Sequence, residues 1–170
     1  MGVSQGGIAA MADPKVVHST YVVERSFAKP VEAVYAALSK PEKVKAWYAE
    51  GEKHDLIEFT LNFMEGGTQR LVYRMREGTP VAGLVIDSEA RFQEIVPNDR
   101  VVMATTMKFN GRRMLATQIT FELVPTPQGT DLICTHQGAY FEGSPANMPD
   151  MLRQGWTDLL ARMGKLLEAE

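Results

Sequence analysis

The amphipathic segment at the end of the chain is the feature that most restricts the fold. From Asn147 to Glu170 the pattern is that of one long helix, whose apolar residues fall on a single stripe at 100° per residue. The stripe consists of Met148, Leu152, Trp156, Leu159, Met163, Leu166 and Leu167. Such a face has to be buried, and almost everything before it has the pattern of strands. The chain therefore predicts a sheet closed by one helix, an arrangement that can hold a cavity between its two layers.

Strand patterns joined by short turns fill most of the chain between Val16 and Tyr140. Apolar and polar residues alternate in the segments 57–63, 71–75, 101–109, 115–123 and 132–140. Asn110-Gly111 is the clearest hairpin signal, because both residues tolerate positive φ. The segment 81–96 is too long for one straight strand, so we expect a bend or bulge near residues 87–90. Since no long crossover separates these strands, the pattern predicts an antiparallel meander and excludes a doubly wound parallel sheet.

A short helical insert interrupts the strands after the first of them. Lys29-Pro30 ends the first strand pattern, and apolar residues then recur at helical spacing until Lys40-Pro41 breaks the helix. A second short helix is expected from Pro41 to Trp47. The predicted fold class is thus α+β: an antiparallel meander wrapped around a long C-terminal helix, with a short helical insert after the first strand. We expect one domain over residues 15–170, preceded by a disordered leader at 1–14.

Composition and charge exclude several classes of function. The chain has 170 residues and a formal net charge of -3, so no strongly basic surface favours nucleic acid. No apolar run approaches the ~20 residues of a membrane span, and the N-terminus lacks a secretory signal, so a cytoplasmic protein without membrane insertion is expected. The three histidines lie on separate elements without zinc-site spacing, and we expect neither a metal nor a cofactor. Cys134 is expected to be a small buried apolar residue rather than a reactive thiol.

Four segments resemble one known superfamily in their order and spacing. They are Phe27–Tyr35, Glu94–Val102, Gln128–Leu132 leading to Thr135-His136, and Gly155–Leu160. Together with the strand, insert, meander and closing helix, they make the chain similar to the helix-grip fold of the START and polyketide-cyclase superfamily (SRPBCC). The most similar branch is the one named after the activator of heat-shock-protein-90 ATPase. The resemblance implies a cavity for an apolar or amphipathic small molecule, but it transfers no reaction, because members include lipid carriers, cyclases, hormone receptors and chaperone activators.

The candidate pocket residues are large or polar side chains on the faces expected to point toward the helix. From the insert and the strands they are Trp47, Phe63, Tyr73, Phe92, Met103, Met107, Phe121, His136 and Tyr140. From the helix they are Leu152, Gly155, Trp156, Leu159 and Met163. His136 is the main polar candidate, since a cavity histidine can hydrogen-bond a ligand or act as acid or base. The alternative is a structural histidine, just as plain core packing is the alternative for the aromatic residues.

Three functions fit these features. The first is binding of an apolar, amphipathic or lipid-like small molecule between the sheet and the helix. The second is a cyclase- or dehydratase-like enzyme that acts on a hydrophobic substrate with His136 or a tyrosine as acid or base. The third is regulation of a heat-shock-protein-90 type chaperone ATPase, by analogy with the family only. A homodimer is also possible, because an antiparallel sheet with exposed edges offers pairing surfaces.

Overall fold

Seven antiparallel strands form one sheet, and a long helix packs on one face of it. The computed structural model describes residues 15–170, so the leader expected at 1–14 lies outside the described residues. The strands are β1 (Val17–Phe27), β2 (His54–Leu61), β3 (Thr68–Met75), β4 (Val85–Val96), β5 (Arg100–Phe109), β6 (Arg112–Thr126) and β7 (Gly129–Tyr140). Their order across the sheet is β1-β7-β6-β5-β4-β3-β2. This arrangement confirms the predicted α+β meander with a helical insert and a closing helix.

The first strand pairs with the last one. β1 lies along β7 over its whole length, from Val17 opposite Tyr140 to Phe27 opposite Thr130. The helical insert follows β1 and carries the chain to the far edge of the sheet, where β2 begins the meander. Within residues 15–170, β1 and β2 are therefore the two edge strands.

The insert contains two α-helices and a π-helical turn. α1 spans Val31–Ser39 and α2 spans Pro41–Val44, and the π-helical turn Lys45–Ala49 continues α2. The predicted second helix, Pro41 to Trp47, therefore changes its winding before it reaches Trp47. The Trp47 indole donates a hydrogen bond to the Ala37 carbonyl at 2.8 Å, which ties the turn back to α1. The next residue, Tyr48, packs against Trp156 of the closing helix with 5.9 Å between ring centroids.

The closing helix, α3, spans Met148–Glu168, as the amphipathic pattern predicts. Its buried face centres on Trp156, Leu160, Met163 and Leu167, whereas Leu152, Leu159 and Leu166 are partly buried at its margins. The stripe drawn from the sequence omitted Leu160, which is fully buried. The helical period shows which residues share a face of the helix. The residue at the centre of the buried face depends on how the helix packs on the sheet, and the period alone does not give it.

Strands β4 and β2 depart from the patterns expected from the sequence. β4 begins only at Val85, and its register shifts between Phe92 and Glu94 rather than near residues 87–90. Residues 81–83, expected to be extended, instead continue the turn that contains Pro80, and proline cannot donate a ladder hydrogen bond. In β2 a register shift between Leu56 and Glu58 leaves Ile57 54% exposed. The alternation had placed Ile57 on the inner face.

Cys134 is buried on the inner face of β7. The prediction of a small buried residue is therefore confirmed, and burial raises the pKa of its thiol to about 12. No helix within residues 15–170 is both long and apolar enough to cross a membrane. In the same part of the chain, no three His, Cys, Asp or Glu side chains are grouped so that they could hold a metal ion.

Candidate functional site

A cavity of about 270 Å³ lies between α3 and the inner face of the sheet. Small-molecule pockets range upward from about 300 Å³, so this volume is close to the lower end of that range. The wall is mostly apolar. Its apolar residues are Leu71, Met107, Leu115 and Ile119 from the sheet and Leu152, Trp156 and Leu159 from α3.

The cavity exists because several inward positions carry small side chains. Gly155 faces it from α3, and apart from its chain neighbours and the backbone of α3 itself no heavy atom lies within 4 Å of the place where a Cβ at this residue would stand. On the sheet, Ser88, Thr105 and Thr117 occupy positions where longer side chains would reach the helix. Glycine in a helix interior lowers the stability of the helix by about 1 kcal/mol relative to alanine. The open space at Gly155 is therefore present although alanine would stabilise the helix.

A row of polar side chains crosses the inner wall. Ser88, Thr105, Thr117 and His136 come from the neighbouring strands β4, β5, β6 and β7, and each is less than a tenth exposed. Three of their atoms have no hydrogen-bond partner among the described residues: Thr105 Oγ1, Thr117 Oγ1 and His136 Nδ1. Buried polar groups in folded proteins are normally paired. The row therefore places polar side chains on a mostly apolar wall, with three polar atoms that are shielded from solvent.

His136 is held in place by aromatic packing. Its ring stacks on Tyr21 of β1 with 4.6 Å between centroids and 9° between planes. Tyr140, further along β7, folds its ring over Gly138, where an added Cβ would lie 2.6 Å from a ring carbon. Burial lowers the pKa of His136 to about 4, so its imidazole is neutral near pH 7.

The neutral state of His136 leads to a prediction about pH and stability. Its pKa falls from 6.5 to about 4 on folding, so between these values the unfolded chain binds more protons than the folded protein. The free energy of unfolding should therefore fall as the pH drops through this window, with a contribution from His136 on the order of 3 kcal/mol. Urea titrations of the wild type and of a His136→Gln variant between pH 7 and 4 measure it. The variant should lose stability less steeply than the wild type, and parallel curves would contradict the assignment.

One histidine and two charged side chains lie at one side of the cavity, where it meets a groove on the surface. His54, Asp158 and Arg162 line both the cavity and this groove, and we call these three residues the mouth. His54 Nε2 donates to the Ala49 carbonyl at 2.8 Å. The Asp158 carboxylate accepts a hydrogen bond from Gln154 at 3.0 Å, and Arg162 donates to the Ala46 carbonyl at 3.4 Å. Charge is therefore placed at the mouth, whereas the inner wall carries neutral groups.

Two tyrosines complete the wall between the mouth and the polar row. The Tyr73 ring lies 4.4 Å from the His54 ring, centroid to centroid. Burial raises the pKa of both Tyr73 and Tyr48. Hydrogen bonding from Ser88 and Gln69 opposes the rise at Tyr48. Both phenols are therefore neutral at physiological pH.

The predicted pocket residues lie in three places. Those on the cavity wall are Tyr73, Met107, His136, Leu152, Gly155, Trp156 and Leu159. A void of about 20 Å³ beside the cavity is lined by Trp47, Phe92, Met103 and Phe121, which otherwise pack in the core. Phe63 and Met163 also pack in this core, and Tyr140 packs with Leu115 and Met148 in a second cluster.

Other wall residues were not among the sequence candidates. Thr105 lies on the same strand face as the candidates Met103 and Met107, and Thr117 on the same face as the candidate Phe121. Polar residues at inward positions could have identified both threonines as wall residues. Tyr48 and His54 reach the cavity through the π-helical turn and the start of β2. Asp158 and Arg162 lie off the apolar stripe of α3. No sequence pattern places these four residues together, because the packing of α3 on the sheet does so.

The comparison with protein families decides the assignment of the chain. A family model described as Activator of Hsp90 ATPase homolog 1-like protein matches residues 28–168. The chain belongs to this family. This confirms the resemblance to the heat-shock-protein-90 activator branch of the helix-grip superfamily that the sequence motifs indicated.

Solved structures similar to this family member come from several bacteria. A Rhizobium leguminosarum protein is 30% identical, with 91% of this chain and 97% of that chain covered and a TM-score of 0.83. A Rhizobium loti protein is 31% identical, with 88% and 97% covered and a TM-score of 0.75. A Silicibacter pomeroyi protein that bears the family's name is 22% identical, with 89% and 99% covered and a TM-score of 0.71, which shows the shared fold. A search of curated proteins found no match.

Proposed function

We propose that this member of the Activator of Hsp90 ATPase homolog 1-like family binds an apolar or amphipathic small molecule in the cavity between the sheet and α3. The observation that carries the proposal is the mostly apolar cavity of about 270 Å³ with open space in front of Gly155. Protein interiors are normally packed as densely as organic crystals, with few voids larger than a water molecule. A cavity of this size therefore needs an explanation, and a bound molecule supplies one.

The energetics favour an occupant with a largely apolar surface. Side chains such as Leu71, Ile119 and Leu159 lack contact atoms on the side that faces the cavity. A ligand restores those dispersion contacts and removes its own apolar surface from water, which contributes about 25 cal/mol per Å². The mouth leaves room for a polar or charged end of an amphipathic molecule near Arg162 and Asp158.

A reaction on the bound molecule is the second candidate, and His136 favours it. A neutral imidazole in the cavity wall can accept a proton, and its stacking on Tyr21 fixes the ring. The enzyme would then act on a hydrophobic substrate, as a cyclase or dehydratase does. Binding and turnover are distinguished by the compound recovered afterwards, which is unchanged in mass after binding and altered in mass or absorbance after a reaction.

The binding proposal predicts saturable uptake of an apolar fluorescent probe. N-phenyl-1-naphthylamine, which brightens in apolar surroundings, should bind the purified protein with a stoichiometry of one and a Kd of about 1–10 μM, typical of a modest apolar site. Native mass spectrometry of protein purified gently from its host is the companion measurement, with a discrete extra mass lost on unfolding as the expected result. A probe signal that stays linear with protein concentration and never saturates would contradict the proposal.

A further inference from the structure

Two aromatic rings separate the cavity from the void of about 20 Å³ that lies beside it. Among the described residues, Tyr48 and Trp156 are the two that line both spaces. Their rings are stacked, with 5.9 Å between centroids and 24° between planes. Tyr48 comes from the π-helical turn and Trp156 from α3. The pair therefore forms a partition between the cavity and the void.

The partition lies at the same level on neighbouring strands. On β5 the cavity is lined by Thr105, whereas the void is lined by Met103, the next residue on the same face. On β6 the same change occurs between Ile119 and Phe121. Side chains two residues apart on a strand point to the same face, about 7 Å from each other. The cavity and the void thus follow each other along the strands, with the partition between them.

Tyr48 spans the space from the sheet to the helix. Hydrogen bonding with Ser88 of β4 and Gln69 of β3 holds its hydroxyl at the sheet, while its ring stacks on Trp156 of α3. Ser88 lines the cavity, and Gln69 lines the void. The hydroxyl of Tyr48 is therefore anchored where the two spaces meet.

The π-helical turn fixes the position of Tyr48 in the chain. The Glu50 amide donates to the Lys45 carbonyl at 2.9 Å, which is the i→i+5 bond of such a turn. The preceding residue, Trp47, is bonded to the Ala37 carbonyl, and its ring lies 5.5 Å from the Tyr48 ring, centroid to centroid. Turns of this kind are rare and occur frequently at functional sites. Tyr48 is thus held by the turn, the sheet and the helix together.

We infer that Tyr48 limits the length of the ligand, so that the cavity selects compact apolar molecules over long-chain ones. This inference rests on the proposed function and specifies the size of the ligand. Along β6 the cavity reaches from Leu115 to Ile119, which is about 14 Å at 3.4 Å per residue. Without the Tyr48 ring, the same path would continue to Phe121 and gain about 7 Å.

A series of straight-chain primary alcohols from 1-hexanol to 1-dodecanol measures this limit. Displacement of N-phenyl-1-naphthylamine from the purified protein gives the Kd of each alcohol. Every methylene group that becomes buried should lower the Kd about fourfold, and in the wild type this gain should stop before 1-dodecanol.

In a Tyr48→Ala variant the gain should continue to longer chains. The Kd of 1-hexanol divided by the Kd of 1-dodecanol should therefore be at least about tenfold higher than in the wild type, which corresponds to about two further buried methylene groups. Tyr48→Leu, whose side chain is shorter than that of tyrosine, should raise this ratio in the same direction, and it replaces Tyr48→Ala if the alanine variant does not fold. Urea denaturation shows whether each variant is folded.

Two matched variants leave the partition in place. Tyr48→Phe keeps the ring and loses only the hydroxyl. Met103→Ala removes a side chain from the wall of the void, beyond the partition as seen from the cavity. Both variants should keep the wild-type ratio of Kd values.

The outcomes separate the inference from the proposed function. If the alcohols bind and the ratio is the same in the wild type and the folded Tyr48 variants, Tyr48 does not limit the ligand and cavity binding stands. An equal rise of the ratio in Met103→Ala would also overturn the inference, because the void would then be open to the ligand already. So would an unbroken gain up to 1-dodecanol in the wild type, a result that needs no variant. If neither the alcohols nor N-phenyl-1-naphthylamine binds the wild type, both the inference and the proposed function are overturned.

Discussion

Replacing Gly155 by leucine is expected to abolish binding of N-phenyl-1-naphthylamine and, at the same time, to stabilise the protein. A Cβ at position 155 meets no heavy atom within 4 Å outside α3 itself, and Gly155 lines the cavity, so the new side chain extends into it. Removing a glycine from a helix interior contributes about 1 kcal/mol, and the new apolar contacts contribute about another 1 kcal/mol. For a chain of this length the thermal midpoint should rise by roughly 4–8 °C. Probe titration and a thermal melt measure the two effects.

A Gly155→Ala variant separates helix propensity from cavity filling. Its single methyl group gives the helix the same gain of about 1 kcal/mol but leaves most of the cavity open. It should therefore melt at a higher temperature than the wild type and still bind the probe. Probe binding by Gly155→Leu at wild-type affinity would place the probe elsewhere on the protein. A lower melting temperature for Gly155→Leu would show that the space in front of α3 is not available.

Leu160→Ala is expected to be far more destabilising than Leu159→Ala, although the two residues are adjacent. Leu160 is 0% exposed and packs in the main core, so its truncation should lower the free energy of unfolding by about 3 kcal/mol. Leu159 is partly buried on the cavity wall and already lacks contacts on one side. Its truncation should cost only about 1 kcal/mol, near the average for point mutations. Urea denaturation with equal m-values provides the comparison.

A binding assay on the Leu159→Ala and Leu160→Ala variants also distinguishes a residue of the cavity wall from a residue of the core. Leu159→Ala enlarges the cavity and should change the affinity for the probe, whereas Leu160→Ala should leave the affinity unchanged under conditions where it is fully folded. Equal losses of stability for the two variants would mean that the cavity is closed in solution, with Leu159 packed as tightly as Leu160.

Periodicity was sufficient for most of the fold. The period of 3.6 residues identifies α3, and the period of two identifies the inward faces of β3, β5, β6 and β7. Asn110-Gly111 marks the hairpin between β5 and β6, where the two residues have φ values of 47° and 82°. Periodicity failed at the bulge of β2, where the extra residue breaks the alternation and leaves Ile57 exposed while Phe59 and Leu61 remain half-buried as expected. Periodicity also gave no information on the pairing of β1 with β7, because a strand pattern shows which residues share a face of the sheet and not which strand lies beside it.

The cavity was predictable as a place but not as a set of residues. Trp156 on the apolar stripe of α3, Gly155 beside that stripe and His136 on an inward strand face all line the cavity. The same reasoning cannot separate wall residues from core residues such as Met163 or Phe121, since both types are apolar and point inward. Which of them face open space depends on the volumes of side chains on opposite layers. That quantity is a property of the packed structure and not of any one segment.

The pairing of β1 with β7 has a consequence for biosynthesis. β1 ends at Phe27, and its ladder partner among residues 15–170 begins at Gly129, so β1 is paired only after about 100 further residues have been made. At ordinary translation rates this interval lasts roughly 5–20 s, during which the apolar side of β1 has no sheet to cover it. The meander from β2 to β6 can form meanwhile through sequential hairpins with short loops. Of the seven described strands, β1 is thus translated first but is among the last to join the sheet, because it pairs only when β7 is available.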